Sequence, residues 1–371
     1  MSKNILLVGE WASPNLGDAV LCNCCYNILK YNTLNNYIKF DLSFGANQSD
    51  TKRSIYSYLC VPINFLGGKK ATRILGWIRS KLFIKNGLRK HKNIDGIVFC
   101  GGQIILDYFC DCVNEIAIYA EKRSIPIIYN AIGGSQCSNH SKIIFKRVLE
   151  KNTVKAISIR DNYHFFSNLT SRDIKVVPDI AVSAGKIYEH QSNNSNIIGL
   201  GTINPVMLKE RLGLNVSLDE IISFWSKVIQ NIENKGLKWK FFTNGDIGDF
   251  NSAKSILESL GYVASEKFLQ DRPRTDTELI SNISQFSAII SFRLHSHIIS
   301  YSLGIPSFGL IWDKKVVDFF NMTNNKYYSA ENIFDTNKIS EFLDEYGHIT
   351  VNNSLTEIAI SNLTDNVKLY F

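Results

Sequence analysis

The sequence predicts an α/β protein of two Rossmann-like domains facing a cleft. Three observations predict it. Short apolar runs alternate with helical patterns along the chain, which is the mark of βαβ units. A length of 371 residues exceeds one ordinary domain. A polar stretch from His190 to Asn196 separates two halves built in the same style.

In the first half, strands are expected at Ile5–Val8, Tyr37–Leu42, Gly96–Cys100, Pro126–Asn130, Ala156–Ile159 and Ile174–Val177, each a short, mostly apolar run. Helical spacing follows at Ala19–Tyr31, Val113–Lys122, Lys142–Leu149 and Asn162–Asn168. In the second half, strands are expected at Ile197–Gly201, Lys238–Thr243, Tyr262–Val263, Ala288–Phe292 and Ser307–Ile311. Helices are expected there at Leu218–Asn234, Asn251–Leu260, Asp276–Ser284, Ile298–Leu303 and Ile339–Tyr346. The expected organisation is an N-terminal domain over 1–190, a linker over 191–196 and a C-terminal domain over 197–350. A last helix within 351–371 would pack back on the first domain.

Hydrophobic residues make up 45% and charged residues 20%, as in a soluble protein that buries sizeable cores. No apolar run approaches the ~20 residues needed to span a bilayer. Met1-Ser2-Lys3 leads straight into the first strand without a signal peptide, so the expected location is the cytoplasm. All eight cysteines, Cys22, Cys24, Cys25, Cys60, Cys100, Cys110, Cys112 and Cys137, precede residue 138. They read as buried thiols, because a secreted disulfide scaffold would be shorter. Cys22 and Cys25 form a C-x-x-C with no second pair at metal-site spacing, and no metal is expected.

The charge of +7 is uneven. Thr51–Ile94 holds eleven Lys or Arg and no Asp or Glu, so the rest of the chain stands at −4. Within the basic segment 67–93, Ile74, Leu75, Trp77, Ile78, Leu82, Phe83 and Leu88 are interleaved with the charges. Two readings stay open: a solvated helix packed on its own domain, or a helix lying on an anionic membrane surface. Nucleic acid is not an expected partner, since no RNA- or DNA-binding motif accompanies the charge.

The richest stretch for chemistry is Ser287–Asp318. Arg293, His295 and His297 come together where a core strand ends, the edge at which open α/β sheets bind ligands. Arg suits bidentate recognition of carboxylate or phosphate, and His can give a proton near neutral pH. Lys315 follows the next strand, and Gly304-Ile305-Pro306 turns the chain between them. The first loop carries Asn15-Leu16-Gly17-Asp18 at a strand-to-helix junction, where Asp18 can be a helix cap or a general base. Gly101 and Gly102, followed by Asp107, make another such turn. Ala131-Ile132-Gly133-Gly134-Ser135 makes a third. Arg160-Asp161 and Pro178-Asp179 each end a strand, as structural ion pairs or as site residues. Walker, G-x-S-x-G, H-E-x-x-H, dinucleotide G-x-G-x-x-G and D-x-D patterns are absent from the sequence.

These motifs together resemble the polysaccharide pyruvyl transferase family. The matching pieces are Asn15-Leu16-Gly17-Asp18, Gly101-Gly102 with Asp107, Ile157-Ser158-Ile159-Arg160-Asp161 and Pro178-Asp179. The most specific are Ser291-Phe292-Arg293-Leu294-His295, Gly304-Ile305-Pro306 and Trp312-Asp313-Lys314-Lys315-Val316. The family often has a third glycine at Cys100 and a tyrosine at Trp312. The resemblance implies a GT-B-like fold, no cofactor, phosphoenolpyruvate as co-substrate and a cyclic pyruvate ketal on a surface glycan as product. It ties Arg293 and His295 to donor binding and catalysis. Asp18 is the expected base. Lys315, Arg160, His297 and Gly304 are further donor-side candidates. Asn15, Gly17, Asp18, Gly101, Gly102 and Asp107 are acceptor-side candidates. The acceptor would be a polysaccharide or its lipid-linked precursor at the inner face of the cell membrane. Two alternatives are a metal-independent nucleotide-sugar glycosyltransferase on the same fold and a non-catalytic scaffold for glycan assembly at a membrane surface.

Overall fold

The structure, a computed structural model, describes residues 2–43, 74–91, 93–190, 195–212, 216–329 and 334–371. Residues 67–73 and 92 of the basic segment, 191–194 of the expected linker, and Cys60 lie outside the described residues. The chain divides into two compact units. The first comprises Met1–Ser13, Leu21–Ile180 and Glu357–Phe371; the second comprises Pro14–Val20 and Ala181–Thr356.

The first unit is built on a seven-stranded parallel sheet. Its strands are β1 (Asn4–Gly9), β2 (Asn36–Asp41), β3 (Gly96–Phe99), β4 (Gly102–Ile105), β5 (Ile127–Gly134), β6 (Val154–Ile159) and β7 (Lys175–Val176). The order is β2-β1-β3-β5-β6-β7, with β4 paired to β5 off that path. Strands β3 and β5 are buried along their whole length, as parallel strands covered on both faces must be. The helix Leu355–Tyr370 places Asn362 in the first unit, where its amide donates to Ser158 Oγ (3.0 Å) and Asn130 Oδ1 (3.2 Å).

The second unit has a five-stranded parallel sheet of β8 (Ile197–Gly201), β9 (Lys238–Phe242), β10 (Ala288–Ser291), β11 (Ser307–Leu310) and β12 (Tyr328–Ser329). Its order is β12-β11-β10-β8-β9. The chain runs outward from β8 to β9, then returns to β10 on the other side of β8. The direction of winding therefore reverses between β8 and β10. Helix Leu218–Asn234 shows why these segments are helical. Ile221, Phe224, Trp225, Val228, Ile229 and Ile232 recur at three- and four-residue steps and are buried. Ser217 and Glu220 form a reciprocal cap at its start.

Three local expectations change. No strand forms at Tyr262–Val263, because Gly261 takes φ +80° and ends the preceding helix. Tyr262 instead packs its ring edge-on against Trp239, 5.1 Å away. Helix Lys314–Met322, unforeseen, is capped by the Asp313 side chain accepting from Lys315 N (3.1 Å), and buries Val316, Phe319 and Phe320. The helix after β10 starts at Leu294 rather than Ile298.

Candidate active site

That early start decides the fate of two histidines. At about 100° per residue, positions two apart on a helix point to nearly opposite sides. His295 and His297 therefore diverge instead of converging. His297 is fully buried; its Nε2 lies 2.9 Å from the Ser291 carbonyl and its ring meets Phe320 edge-on at 5.0 Å. Burial pushes its pKa down to about 4, with the Ser291 carbonyl only partly opposing. A neutral core imidazole does not suit an anionic ligand, which corrects its expected place on the donor side.

His295 turns the other way, with Nδ1 3.9 Å from Asp18 Oδ1. The Asn15–Asp18 segment that carries this carboxylate belongs to the second unit. Leu16 N donates to the Asn244 carbonyl at 2.9 Å. The Asn244 side chain accepts from Ser296 Oγ at 2.8 Å, so one residue holds both the Asp18 loop and the His295 helix. Gly17 is obligatory here: a Cβ on it would stand 2.3 Å from the His295 ring. The sequence reading had no role for Asn244 or Ser296.

Arg293 follows β10 at the carboxyl edge of the second sheet, beside the β8/β10 reversal, where this class of sheet binds ligands. Its Nε and Nη2 donate to the two oxygens of Asp249, both at 2.7 Å. Asp249 is fully buried and also accepts from Asn204 N at 2.9 Å. Burial raises the Asp249 carboxyl, and Arg293 opposes that rise. This corrects the expectation of an open guanidinium fork: the Nε–Nη2 edge is occupied, and Nη1 lies outside it. Asp249 was missed, although Asn244-Gly245-Asp246-Ile247-Gly248-Asp249 after β9 is an acid-bearing turn at a strand end.

Trp312 ties Arg293 to Lys315. Its indole Nε1 donates to the Phe292 carbonyl at 2.7 Å. The Arg293 guanidinium carbon lies 5.7 Å from the ring centroid and Lys315 Nζ 5.1 Å from it. Lys315 Nζ is also 3.9 Å from Asp313 Oδ2. Asp18 with His295, and Arg293 with Trp312 and Lys315, thus form two contact groups of the second unit, joined by the helix that Arg293 opens and His295 rides on. Gly304 belongs to neither: at φ +74° it closes the far end of the nine-residue helix that Arg293 opens, roughly 13 Å along. Its role is a turn, not a ligand contact.

The remaining candidates lie in the first unit. Gly101 and Gly102 have φ of +122° and +84° and form the turn between β3 and β4. Asp107 accepts from Ser138 N (3.0 Å) and Ser138 Oγ (2.8 Å), and Ser138 caps the helix Asn139–Leu149. That carboxylate is engaged in anchoring a helix, unlike its expected acceptor contact. Arg160 is buried between two carboxylates: its Nε is 3.3 Å from Asp161 Oδ2 and its Nη1 bonds Asp179. Asp161 Oδ1 also accepts from Gly134 N at 3.2 Å. The structural ion pair prevails at Arg160 over donor binding. The six cysteines Cys22, Cys24, Cys25, Cys100, Cys110 and Cys112 are buried, and Cys137 is half-buried. Among the described residues no group of three or more His, Cys, Asp or Glu is arranged to hold a metal ion.

A sequence-family model, polysaccharide pyruvyl transferase, matches residues 15–314. The chain belongs to the polysaccharide pyruvyl transferase family. The match begins at Asn15 and takes in both His295 and Arg293, and membership makes the protein a transferase. No curated protein matches this pyruvyl transferase family member in sequence. Among solved structures it is similar to the S. aureus MnaA–UDP structure, with TM-score 0.59 and 10% identity over 100% of this chain and 97% of that one. It is also similar to the Neisseria meningitidis UDP-GlcNAc 2-epimerase bound to UDP-GlcNAc, with TM-score 0.59 and 11% identity over 99% and 98%. The Methanocaldococcus jannaschii UDP-GlcNAc 2-epimerase in complex with UDP-GlcNAc and UDP gives TM-score 0.57 and 12% identity over the full length of both chains. At such identities the likeness speaks to fold, and the family member has a parallel-sheet α/β fold of GT-B type.

Proposed function

We propose that this transferase moves the enolpyruvyl group of phosphoenolpyruvate onto a pair of sugar hydroxyls, forming a cyclic pyruvate ketal and releasing phosphate. The observation that supports it most is the pairing of His295 with Asp18 on the helix that Arg293 opens, with Trp312 set between Arg293 and Lys315. The donor carries a carboxylate and a phosphate. In this reading Arg293, through Nη1, and Lys315 meet those charges. A protonated His295, with Asp18 as its counter-ion, gives a proton to the CH2 carbon of the donor. That carbon becomes a methyl, and the adjacent carbon becomes electrophilic. A sugar hydroxyl adds to it, and a carboxylate such as Asp18 takes the hydroxyl proton. The second hydroxyl then forms its bond to the same carbon as the C–O bond to phosphate breaks, and its proton leaves with the phosphate. Proton transfer of this kind contributes about 10²–10⁴-fold. The protein needs no cofactor in this scheme. The acceptor we propose is a surface polysaccharide or its lipid-linked precursor, with Asn15 and Gly17 as candidate contacts to it.

Thermal stability against phosphoenolpyruvate, UDP-sugars and CDP-sugars tests the donor, with wild type, Arg293→Ala and Lys315→Ala. A ligand that binds only the folded protein raises the Tm. The expected result is a shift with phosphoenolpyruvate that is lost in both variants, each read against its own ligand-free Tm. A shift with a nucleotide sugar alone would replace this reading with glycosyl transfer. No shift with any of them would favour the scaffold.

A further inference from the structure

The described part of the basic segment is one continuous helix from Ile74 to Lys90, and its middle, Arg79–Ile84, is a π-helix. Lys85 N donates to the Ser80 carbonyl, the i→i+5 bond of that wider turn. The wide turn has a consequence for both faces. The inward stripe of Leu75, Arg79, Ile84 and Leu88 takes one five-residue step, between 79 and 84. The outward stripe of Ile74, Trp77 and Leu82 takes a five-residue step at the same place. On a plain α-helix, five residues would put Leu82 about 140° away from Trp77. Here both face solvent, Trp77 58% exposed and Leu82 52%, with Ile74 at 40%.

The inward side is firmly docked. The Arg79 guanidinium lies 3.6 Å over the Tyr108 ring, and Lys81 pairs with Glu115 at 2.9 Å. The helix therefore has no need of its outward apolar side chains for its own packing. Lys85 is half-buried beside them, and Arg89 and Lys90 are exposed at the helix end, in a 44-residue run, Thr51–Ile94, that contains no acid. An indole and two aliphatic side chains with cations along the same helix match the boundary between anionic headgroups and acyl chains. A nucleic acid would be served by the cations but not by Ile74 and Leu82.

We infer that the Ile74–Lys90 helix is a membrane-interface element. Trp77, Ile74 and Leu82 enter the headgroup boundary of an anionic bilayer, and Lys85, Arg89 and Lys90 meet the lipid phosphates. The π turn is what brings Leu82 to the same side as Trp77. This inference is independent of the donor chemistry, because it uses none of the residues around His295.

Vesicle flotation of the full chain tests it, with phosphatidylcholine vesicles and with vesicles containing phosphatidylglycerol. Two variants are compared with wild type: Trp77→Ser with Leu82→Ser, and Lys85→Gln with Arg89→Gln and Lys90→Gln. Trp77, Leu82, Arg89 and Lys90 are exposed and Lys85 is half-buried, so the ligand-free Tm of each variant is measured beside its flotation and should hold. Wild type should float only with the anionic vesicles. The charge variant should bind about a hundred-fold more weakly, at roughly a factor of five per cation, and the apolar variant about ten-fold or more. No dependence on anionic lipid overturns the inference. Flotation of the apolar variant as tight as wild type also overturns it, by reducing the contact to adsorption through charge. A phenotype tied to RNA or protein capture without flotation does the same.

Discussion

Arg160 and Arg293 occupy the same kind of place, just past the end of a buried parallel strand, and meet opposite surroundings. Arg160 is clasped by Asp161 and Asp179 with its side chain 5% exposed. Arg293 gives one edge to Asp249 and keeps the rest beside Trp312, Lys315 and the His295 helix, with its side chain 13% exposed. The difference lies in how the guanidinium is spent. Two buried carboxylates consume the first, so it ties loops of the first sheet together. One carboxylate orients the second through Nε and Nη2, with Nη1 outside that pair. A strand end in an α/β sheet is a good address for a ligand, and the number of resident carboxylates is what distinguishes these two arginines.

His295→Ala should lower pyruvyl transfer by about 10²–10⁴-fold while the Tm stays within a few degrees. Phosphate release from phosphoenolpyruvate in the presence of acceptor reads this, and full activity would remove His295 from the mechanism. Arg160→Ala should act on stability instead. It leaves two buried carboxylates without their cation, at a cost of about 3–5 kcal/mol in denaturant unfolding. Activity per folded molecule should persist. A folded Arg160→Ala protein that no longer responds to phosphoenolpyruvate would erase the contrast between the two arginines.

The buried His297 yields a pH signature. Its folded pKa of about 4 lies below the ordinary 6.5, so the unfolded chain binds the extra proton. Its contribution is intact above pH 6.5, is lost progressively as pH falls toward 4, and is fully lost below that. The size is roughly 3 kcal/mol. Unfolding free energies of wild type and His297→Gln should therefore converge or cross as pH is lowered; parallel curves would place His297 in a wetter site. The smallest effect is expected for Gly17→Ala. Its methyl would displace the His295 ring and cost about ten- to a hundred-fold in transfer, with a loss of about 1–3 kcal/mol of stability from the overlap. Unchanged kinetics would mean that the loop yields without disturbing His295.

Much of this was legible from residue order. Nearly every β strand was visible as an apolar run, most clearly β3, β5 and β10, which are buried on both faces and carry no alternation to blur them. Strand β12 was missed because its pairing covers two residues, and β4 because it opens on a glycine that reads as a turn. The Arg-x-His pattern drew attention to the carboxyl edge of the second sheet, where Arg293 follows β10. It misled about His297, because a strand-end loop was read where a helix had already begun. The glycines were read as permissive turns. That Gly17 makes room for an imidazole almost 280 positions away could be found only by seeing what lies over it.

Residue order by itself determined the two α/β sheets, the family, the edge that carries Arg293 and the basic segment, since periodicity, motif spacing and charge are local properties of the chain. Tertiary structure decided which charges are spent. Asp249 and Arg293 are 44 positions apart, and Asp18 and His295 are further still. Whether a charged side chain is consumed or available depends on the partners that folding brings within hydrogen-bond reach. No local pattern encodes that distance.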